Sequence, residues 1–457
     1  MADILRRFPR IDEGSHIAPT TNLPNQSKKS AALQIIKTLR QKGYEAYFVG
    51  GCVRDFLLKK KPKDFDIATN ATPKEVSALF PKTVAVGAQF GVMIVIVDGQ
   101  NIEVATFRAD KGYADGRHPT GVRFTDARED ALRRDFTVNG LFYDPIRRKV
   151  MDWVDGQTDL RKKILRAIGN PKKRFLEDKL RLLRAVRFAS VLGFKIDPKT
   201  FSAVKQLAPK IHEVSHERVR DELIKMFTGP NPALALTLLD KTGLLKEVLP
   251  EVCKMKGVRQ PKAYHPEGDV FVHTRLLMEQ LKNPSIVLAF GSLLHDVGKP
   301  DTYKRSDRIR FNGHDRVGAA LTQKILERLR FSNDLKDQII ACVDGHMRFK
   351  DVKQMRQSTL KRFLQRGTIE TELEQHRIDC LASHGDLSNW RFLKKKIKSL
   401  SREEIKPNPL ITGRDLLALG YKEGPLIGKI LKSVEEAQLE GTLTNNEDAL
   451  RWVKANF

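Results

Sequence analysis

Residues 50–66, GGCVRDFLLKKKPKDFD, join two adjacent glycines, Gly50 and Gly51, to Arg54 and then to two aspartates one residue apart, Asp64 and Asp66. The apolar, β-prone run YFV at 47–49 reads as a strand leading into them. Glycines at that point let the backbone turn sharply and approach phosphate oxygens without Cβ obstruction. The VRDFLL that follows reads as the start of a helix, and a helix N-terminus favours anions. Residues two apart on an extended strand share a face. Asp64 and Asp66 so placed suit Mg²⁺, which also ligates substrate phosphates. The stretch predicts a nucleoside triphosphate site with a divalent metal, built on a strand–turn–helix unit.

The 457-residue chain has room for two to four domains. Its formal net charge of +26 and pI near 9.9 favour a polyanionic partner, most simply nucleic acid. Cys52, Cys253, Cys342 and Cys380 form no C-x-x-C pair. That spacing argues against a disulfide framework or a zinc ribbon and fits a reducing, cytoplasmic setting. The first residues, MADILRRFPRIDEGS, lack the apolar core of a signal peptide, and no apolar run is long enough to span a bilayer.

Working outward, residues 1–30 read as a loose, flexible arm, and 31–44 as a helix. Strand signals dominate to about residue 155. GVMIVIV, Asp98-Gly99 and NIEVATF predict a hairpin, Asp-Gly being a favoured two-residue turn. The glycine-rich, charged stretch ADKGYADGRHPTGVR at 109–123 reads as a mobile loop. Beyond residue 160 the pattern is helical to the end. The predicted class is α+β, with a mixed-sheet head followed by helical domains.

Two further clusters carry chemistry. RRDFTVNG at 133–140 sets Arg133 and Arg134 beside a strand-like FTV. Guanidinium groups bind phosphate oxygens in a bidentate fashion, and Asp135 has the chemistry to orient an arginine or bond the backbone. EDKLRLLRAVRFA at 177–189 reads as one helix on which Asp178 and Arg181 are neighbours. Arg184 and Arg187 continue the spacing, each step falling about 60° short of a full turn. Carboxylate only accepts hydrogen bonds and guanidinium only donates. The pair Asp178–Arg181 therefore complements the amino group and ring nitrogen of cytosine or adenine and mismatches uracil and guanine. The bland alternative is an intrahelical ion pair.

Together GGCVRD, DFD, RRDFTVNG, DWVDGQTDL (152–160), EDKLRLLRAVRF and HERVRDELIKMF (216–227) resemble the class II tRNA nucleotidyltransferase (CCA-adding) and bacterial poly(A) polymerase family, over roughly residues 35–250. The resemblance implies a polymerase-β-like nucleotidyltransferase head with Mg²⁺ on Asp64 and Asp66, which act as the catalytic carboxylates. It implies nucleotide contacts from Gly51, Arg54, Arg134, Asp178, Arg181, Arg184 and Arg187, and a role for the 109–123 loop in switching from C to A addition. Glu103 is a candidate third carboxylate. The implied reaction is template-independent transfer of C and A from CTP and ATP to a tRNA 3′ end with release of pyrophosphate. A poly(A) polymerase, or an enzyme adding only CC or only A, fits the same head motifs. The implied division is an arm at 1–30, the head at 31–165, a neck and body at 166–260, and further helical domains at 261–400 and 401–457.

The C-terminal half adds a histidine set: His273 in HPEGDVFVHT, His295-Asp296 in LLHDVGKP, and then His314, His346 and Asp379. It resembles an HD-domain metal site at 261–400, with His273, His295, Asp296 and Asp379 as ligands and His314 and His346 for a second ion. Imidazole with carboxylate suits divalent transition metals or Mg²⁺. An HD-type phosphohydrolase with an RNA-binding head is the reading from a different class.

Overall fold

The YFV run forms strand β1 (Ala46–Val49), and Gly50, at φ 69°, turns the chain directly into helix α2 (Gly51–Leu57). The computed structural model describes residues 24–87, 90–113, 119–262 and 265–457. Helix α1 (Pro24–Gln41) precedes β1, so residues 24–30, expected to belong to the arm, are helical; the rest of the expected arm, 1–23, lies outside the described residues.

The head sheet adds β2 (Asp66–Thr69), β3 (Thr83–Gly87), β4 (Val92–Val97), β5 (Gln100–Thr106), β8 (Phe142–Asp144) and β9 (Lys149–Met151), in the order β3-β4-β5-β2-β1-β8-β9. The β2–β5 pairing is parallel and the others antiparallel, which makes the sheet mixed as expected. Asp98 and Gly99 join β4 to β5 with φ of 50° and 70°, the two positive values a tight hairpin turn requires. Tyr47, Val49, Phe107 and Phe142 are buried together against one another, and Trp153 packs on them. The 109–123 stretch is not a loop throughout. β6 (Arg108–Tyr113) and β7 (Pro119–Phe124) pair as a separate two-stranded ribbon. It escaped a strand reading because the charged, glycine-rich segment lacks the apolar alternation by which a strand is read.

After α3 (Pro73–Leu79), α4 (Ala127–Leu132) and α5 (Gly156–Lys162) come α6 (Pro171–Glu177), α7 (Leu180–Leu192), α8 (Pro198–Leu207) and α9 (His216–Phe227). The helix expected across 177–189 is broken at Asp178, which takes an extended conformation at φ −143° and accepts from Leu180 N at 3.1 Å. A short carboxylate side chain competes for backbone donors, which favours a new helix start over continuation.

Contacts divide the chain into two units. The first runs to Met226 and adds Leu238–Val248; the second holds Phe227–Thr237 and Leu249–Phe457. The division falls inside the stretch read from sequence as one neck and body. The second unit is helical apart from short two-residue strands. Its α10 (Val270–Glu279), α11 (Ile286–Leu294), α12 (His314–Arg328), α13 (Asn333–Gly345) and α14 (Ile369–Ala382) carry the histidine set. No described helix is long and apolar enough to cross a membrane. All four cysteines are unpaired thiols.

Candidate functional site

A cavity of about 530 Å³ in the first unit is lined from β1, the Gly50-Gly51 turn, α2, β2, β5, the 133–139 segment, α7 and α9. Seven arginines (54, 108, 133, 134, 181, 184 and 218) face it against four carboxylates: Asp66, Glu103, Asp135 and Asp178. That imbalance attracts a polyanion. Gly50 has no Cβ for a structural reason: one built there would stand 3.1 Å from Nη1 of Arg134. The turn thus brings backbone and guanidinium to one point.

The acidic corner differs from the sequence expectation. The β1–β2 ladder ends at the pair Val49–Asp66, because Gly50 turns the chain away. Asp64 therefore precedes β2 instead of sharing its face with Asp66. Its side chain is 74% exposed, is paired with Lys28 at 2.9 Å, and does not line the cavity. Asp66 does line it. β5 runs parallel to β2 with Val104 opposite Ile67, which sets Glu103 across from Asp66. Burial lifts the Asp66 carboxyl to about 6, helped by the negative charges of Glu103 and Asp64 and opposed by Arg134. A carboxylate raised by burial beside other negative charge is a donor that a hard dication relieves.

Arg133 and Arg134 are fixed by a near neighbour, Arg54 and Arg184 by partners far away in sequence. Asp130 at the inner side of α4 accepts from Arg133 at 2.9 Å and from Arg134 at 3.0 Å. Arg54 donates to Oδ1 of Asn139 at 2.8 Å. Asn139 sits in the turn Thr137–Asn139, and Gly156 lets the DWVDG segment press on that turn: a Cβ there would lie 2.2 Å from Thr137 O. Asp135 does both things its chemistry allows. Its Oδ2 accepts from Nε and Nη2 of Arg184 at 2.8 and 2.5 Å, and its Oδ1 from Phe136 N and Asn139 Nδ2 at 2.8 and 3.1 Å. Burial opposes its ionisation, but Arg184 outweighs burial and holds the carboxyl down at about 2.

Asp178 and Arg181 both line the cavity, yet they do not bond each other through their side chains. Asp178 pairs with Arg218 of α9 at 3.2 Å, and Arg181 donates to Glu177 at 2.8 Å. Arg187 lies outside the lining. It pairs with Glu222 at 3.0 Å and covers the Phe188 ring at 4.0 Å, a ring that Arg54 and Arg184 also face at 5.4 and 5.2 Å. Sequence reading missed Arg218, Glu222 and Phe188 as parts of the site. The first two lay in the quoted HERVRDELIKMF, where an i,i+4 Arg–Glu spacing was the available signal.

The second unit gathers every histidine singled out from the sequence. His273 is fully buried, with Nε2 2.9 Å from Asp379 and Nδ1 2.9 Å from Glu267. His295 Nε2 lies 3.2 Å from Asp296 Oδ2. His314 and His346 approach Asp296 Oδ1 at 3.5 and 3.8 Å. The Nδ1 atoms of His295, His314 and His346 each meet a backbone carbonyl three residues back, at 2.9, 2.8 and 2.6 Å. Their Nε2 lone pairs therefore face inward, and those of His314 and His346 come within 3.1 Å of each other. Two such acceptors in contact repel unless a cation joins them. Among the described residues three groupings of metal-ligating type result: His273, His295 and Asp379; Asp296, His314 and His346; and His265, Glu267 and His273. Asp296 faces two of them with its two oxygens. Burial opposes protonation of His273, but Asp379 and Glu267 raise it to about 9, whereas burial presses His346 down to about 4. His265 and Glu267 were not foreseen.

A mixed sheet bearing a glycine turn, facing carboxylates and an arginine-lined cavity, continued by helices that close it, defines a nucleotidyltransferase head. The family described as "Poly A polymerase head domain" matches residues 46–166, the "probable RNA and SrmB-binding site of polymerase A" matches 193–256, and "tRNA nucleotidyltransferase domain 2, putative" matches 317–453. The CCA-adding enzyme of Enterococcus faecalis is 32% identical over 94% of this chain and 96% of its own length. That of Geobacillus stearothermophilus is 46% identical over 51% of this chain and 58% of its own. The crystal structure of the Bacillus stearothermophilus CCA-adding enzyme in complex with CTP superposes with a TM-score of 0.73 at 28% identity, covering 95% of this chain and 98% of that one. The chain belongs to the CCA-adding enzyme family of tRNA nucleotidyltransferases.

Proposed function

We infer that the arginine-lined cavity is the nucleotide site of a CCA-adding reaction, in which CTP and ATP extend a tRNA 3′ end and pyrophosphate leaves. The observation that carries this is the meeting of Asp66, Glu103 and Asp178 with seven arginines, Arg181 among them, in one cavity. Arg134 and Arg54, beside the glycine turn, bind phosphate oxygens; Gly51 admits them. Arg184, bridged to Asp135, holds positive charge against the bound nucleotide, and Arg187 supports it through Phe188. Asp66, with Glu103 and Asp64 beside it, holds Mg²⁺. The ion supplies charge neutralisation at the α-phosphate and acidifies the attacking 3′-hydroxyl. Positioning and preorganised charge supply most of the remaining acceleration. The ribbon β6–β7 is the element that moves between C and A addition. The reading of arm, head, neck and body, HD and tail along the chain stands with this proposal, as does a cytoplasmic location, which suits the unpaired thiols.

Asp178 accepts from the exocyclic amine of cytosine or adenine, and Arg181 donates to the ring nitrogen. Uracil or guanine sets a carbonyl against the Asp178 carboxylate and an N–H against the Arg181 guanidinium, a mismatch of about 1–3 kcal/mol per group. With a tRNA lacking its terminal residues, CTP alone is expected to add two residues and stop, and Arg181→Ala is expected to admit UTP about tenfold more readily relative to CTP. Unlimited tailing of arbitrary RNA with ATP alone would instead place the chain with the poly(A) polymerases. A variant that still rejects UTP as the parent does would remove the base-reading role.

A second reading applies to the second unit, favoured by the 3.1 Å contact of His314 and His346 beside Asp296. His273, His295, Asp296 and Asp379 hold one divalent ion and Asp296, His314 and His346 another, as in an HD domain. Such ions supply Lewis acidity for hydrolysis of a phosphomonoester or 2′,3′-cyclic phosphate. Purified protein is expected to retain divalent metal that His295→Ala loses together with phosphatase activity. Metal-free wild type with unchanged activity in the variant would end this reading.

A further inference from the structure

The base-reading arginine does not stand alone. Nη1 of Arg181 donates to Glu177 Oε2 at 2.8 Å and to the carbonyl of Arg174 at 2.9 Å. Glu177 Oε2 also accepts from Nη1 of Arg174 at 2.9 Å. Arg174 also reaches across to the head, where Nη2 donates to Leu132 O at 2.8 Å and Nη1 to Arg133 O at 3.0 Å, while Nε donates to Ile168 O, just beyond the head, at 3.3 Å. Leu132 ends α4 and Arg133 caps it, immediately before Arg134, the phosphate-side guanidinium. One buried-stem arginine thus ties the backbone that presents Arg134 to the carboxylate that holds Arg181.

A second cavity, of about 310 Å³, is lined by Leu132, Arg133, Arg174 and Glu177 together with Ala109 and Arg123 of the β6–β7 ribbon. The ion pair therefore has open space next to it, and directional hydrogen bonds set its geometry. A planar guanidinium with five fixed donors suits such a task, where an ammonium does not.

We propose that Arg174, acting through Glu177, is a specificity-determining positioning residue: it sets the spacing between the phosphate-binding and base-reading arginines. This rests on the base-reading role of Arg181 given above. The test measures KM and kcat for CTP and ATP, and the UTP:CTP incorporation ratio, in the full-length protein with Arg174→Met, Arg174→Lys, Glu177→Gln and Arg181→Ala. Arg174→Met is expected to raise KM for CTP and ATP about tenfold and the UTP:CTP ratio about tenfold, since loss of one charge-assisted contact is worth about a factor of ten. Arg174→Lys is expected to restore KM in part and selectivity little. Glu177→Gln shifts the ratio in the same direction by less, and carries the test if Arg174→Met does not fold. An equal loss for every nucleotide with selectivity unchanged in both Arg174→Met and Glu177→Gln marks a merely structural role and overturns the proposal. If Arg181→Ala relaxes the ratio in that experiment, base reading survives and only the positioning role falls. If Arg181→Ala leaves the ratio unchanged, base reading itself fails and takes this inference with it.

Discussion

Asp66→Asn is expected to lower nucleotide addition by about a thousandfold, a loss of about 4 kcal/mol of transition-state stabilisation, while tRNA affinity stays within about twofold. Asp66 is the carboxylate that the β1–β2 ladder brings into the cavity, opposite Glu103 on the parallel strand. An asparagine keeps the shape and removes the charge that holds the metal. The pH response carries a second signature. Burial and the neighbouring carboxylates place the metal-free Asp66 carboxyl at about 6. Below that pH a proton competes with the metal, so wild-type activity at subsaturating Mg²⁺ falls with decreasing pH, and excess Mg²⁺ moves the fall to lower pH. A carboxyl raised on folding contributes stability that is present below its unfolded value of about 3.9 and is lost as pH rises through the folded value. The asparagine variant is thus expected to melt no lower than wild type at pH 8. Single-turnover incorporation at several Mg²⁺ concentrations, with a melting curve, measures all of this. Residual activity within tenfold of the parent would refute the assignment.

The second large effect is on stability. Asp135→Ala is expected to cost about 3 kcal/mol, since removing one partner of a buried, hydrogen-bonded ion pair strands the other. Asp135 is 7% exposed and accepts four hydrogen bonds, two from Arg184, one from Phe136 N and one from Asn139. Its loss also frees Asn139, which positions Arg54. For a unit of this size the melting temperature is expected to drop by about 6–12 °C. Asp135 is depressed to about 2, so its contribution is present above the unfolded carboxyl value and is lost as pH falls through the folded one. The gap between parent and variant should hold from pH 5 to 8, narrow progressively below about pH 4 and be largely lost by about pH 2. A melting difference under 2 °C at pH 7 would show that the pair is not worth what its burial implies.

Much of the head was legible because its signals are short in range. YFV followed by Gly-Gly gave a strand and a turn, and φ of 69° at Gly50 is what such a dipeptide permits. Asp98-Gly99 gave its hairpin for the same reason. The histidine set was legible as an inventory of ligand types, though not as an arrangement. What escaped depended on distant partners. Asp178 and Arg181 were read as neighbours on one helix, but Asp178 interrupts that helix and finds Arg218, forty residues on. Asp64 and Asp66 were read as a matched pair, but only Asp66 has a strand to lie against.

The amino-acid sequence by itself determined where the backbone must turn, which segments are helical or extended, and which charges and ligand atoms are available; each depends on a residue and its near neighbours. Which carboxylate faces which guanidinium was decided only by the tertiary structure. A side chain bonds whatever lies within about 3 Å of it, and for Asp135 with Arg184, Arg174 with Leu132, or His314 with His346, that neighbour is brought there by the packing of separate elements.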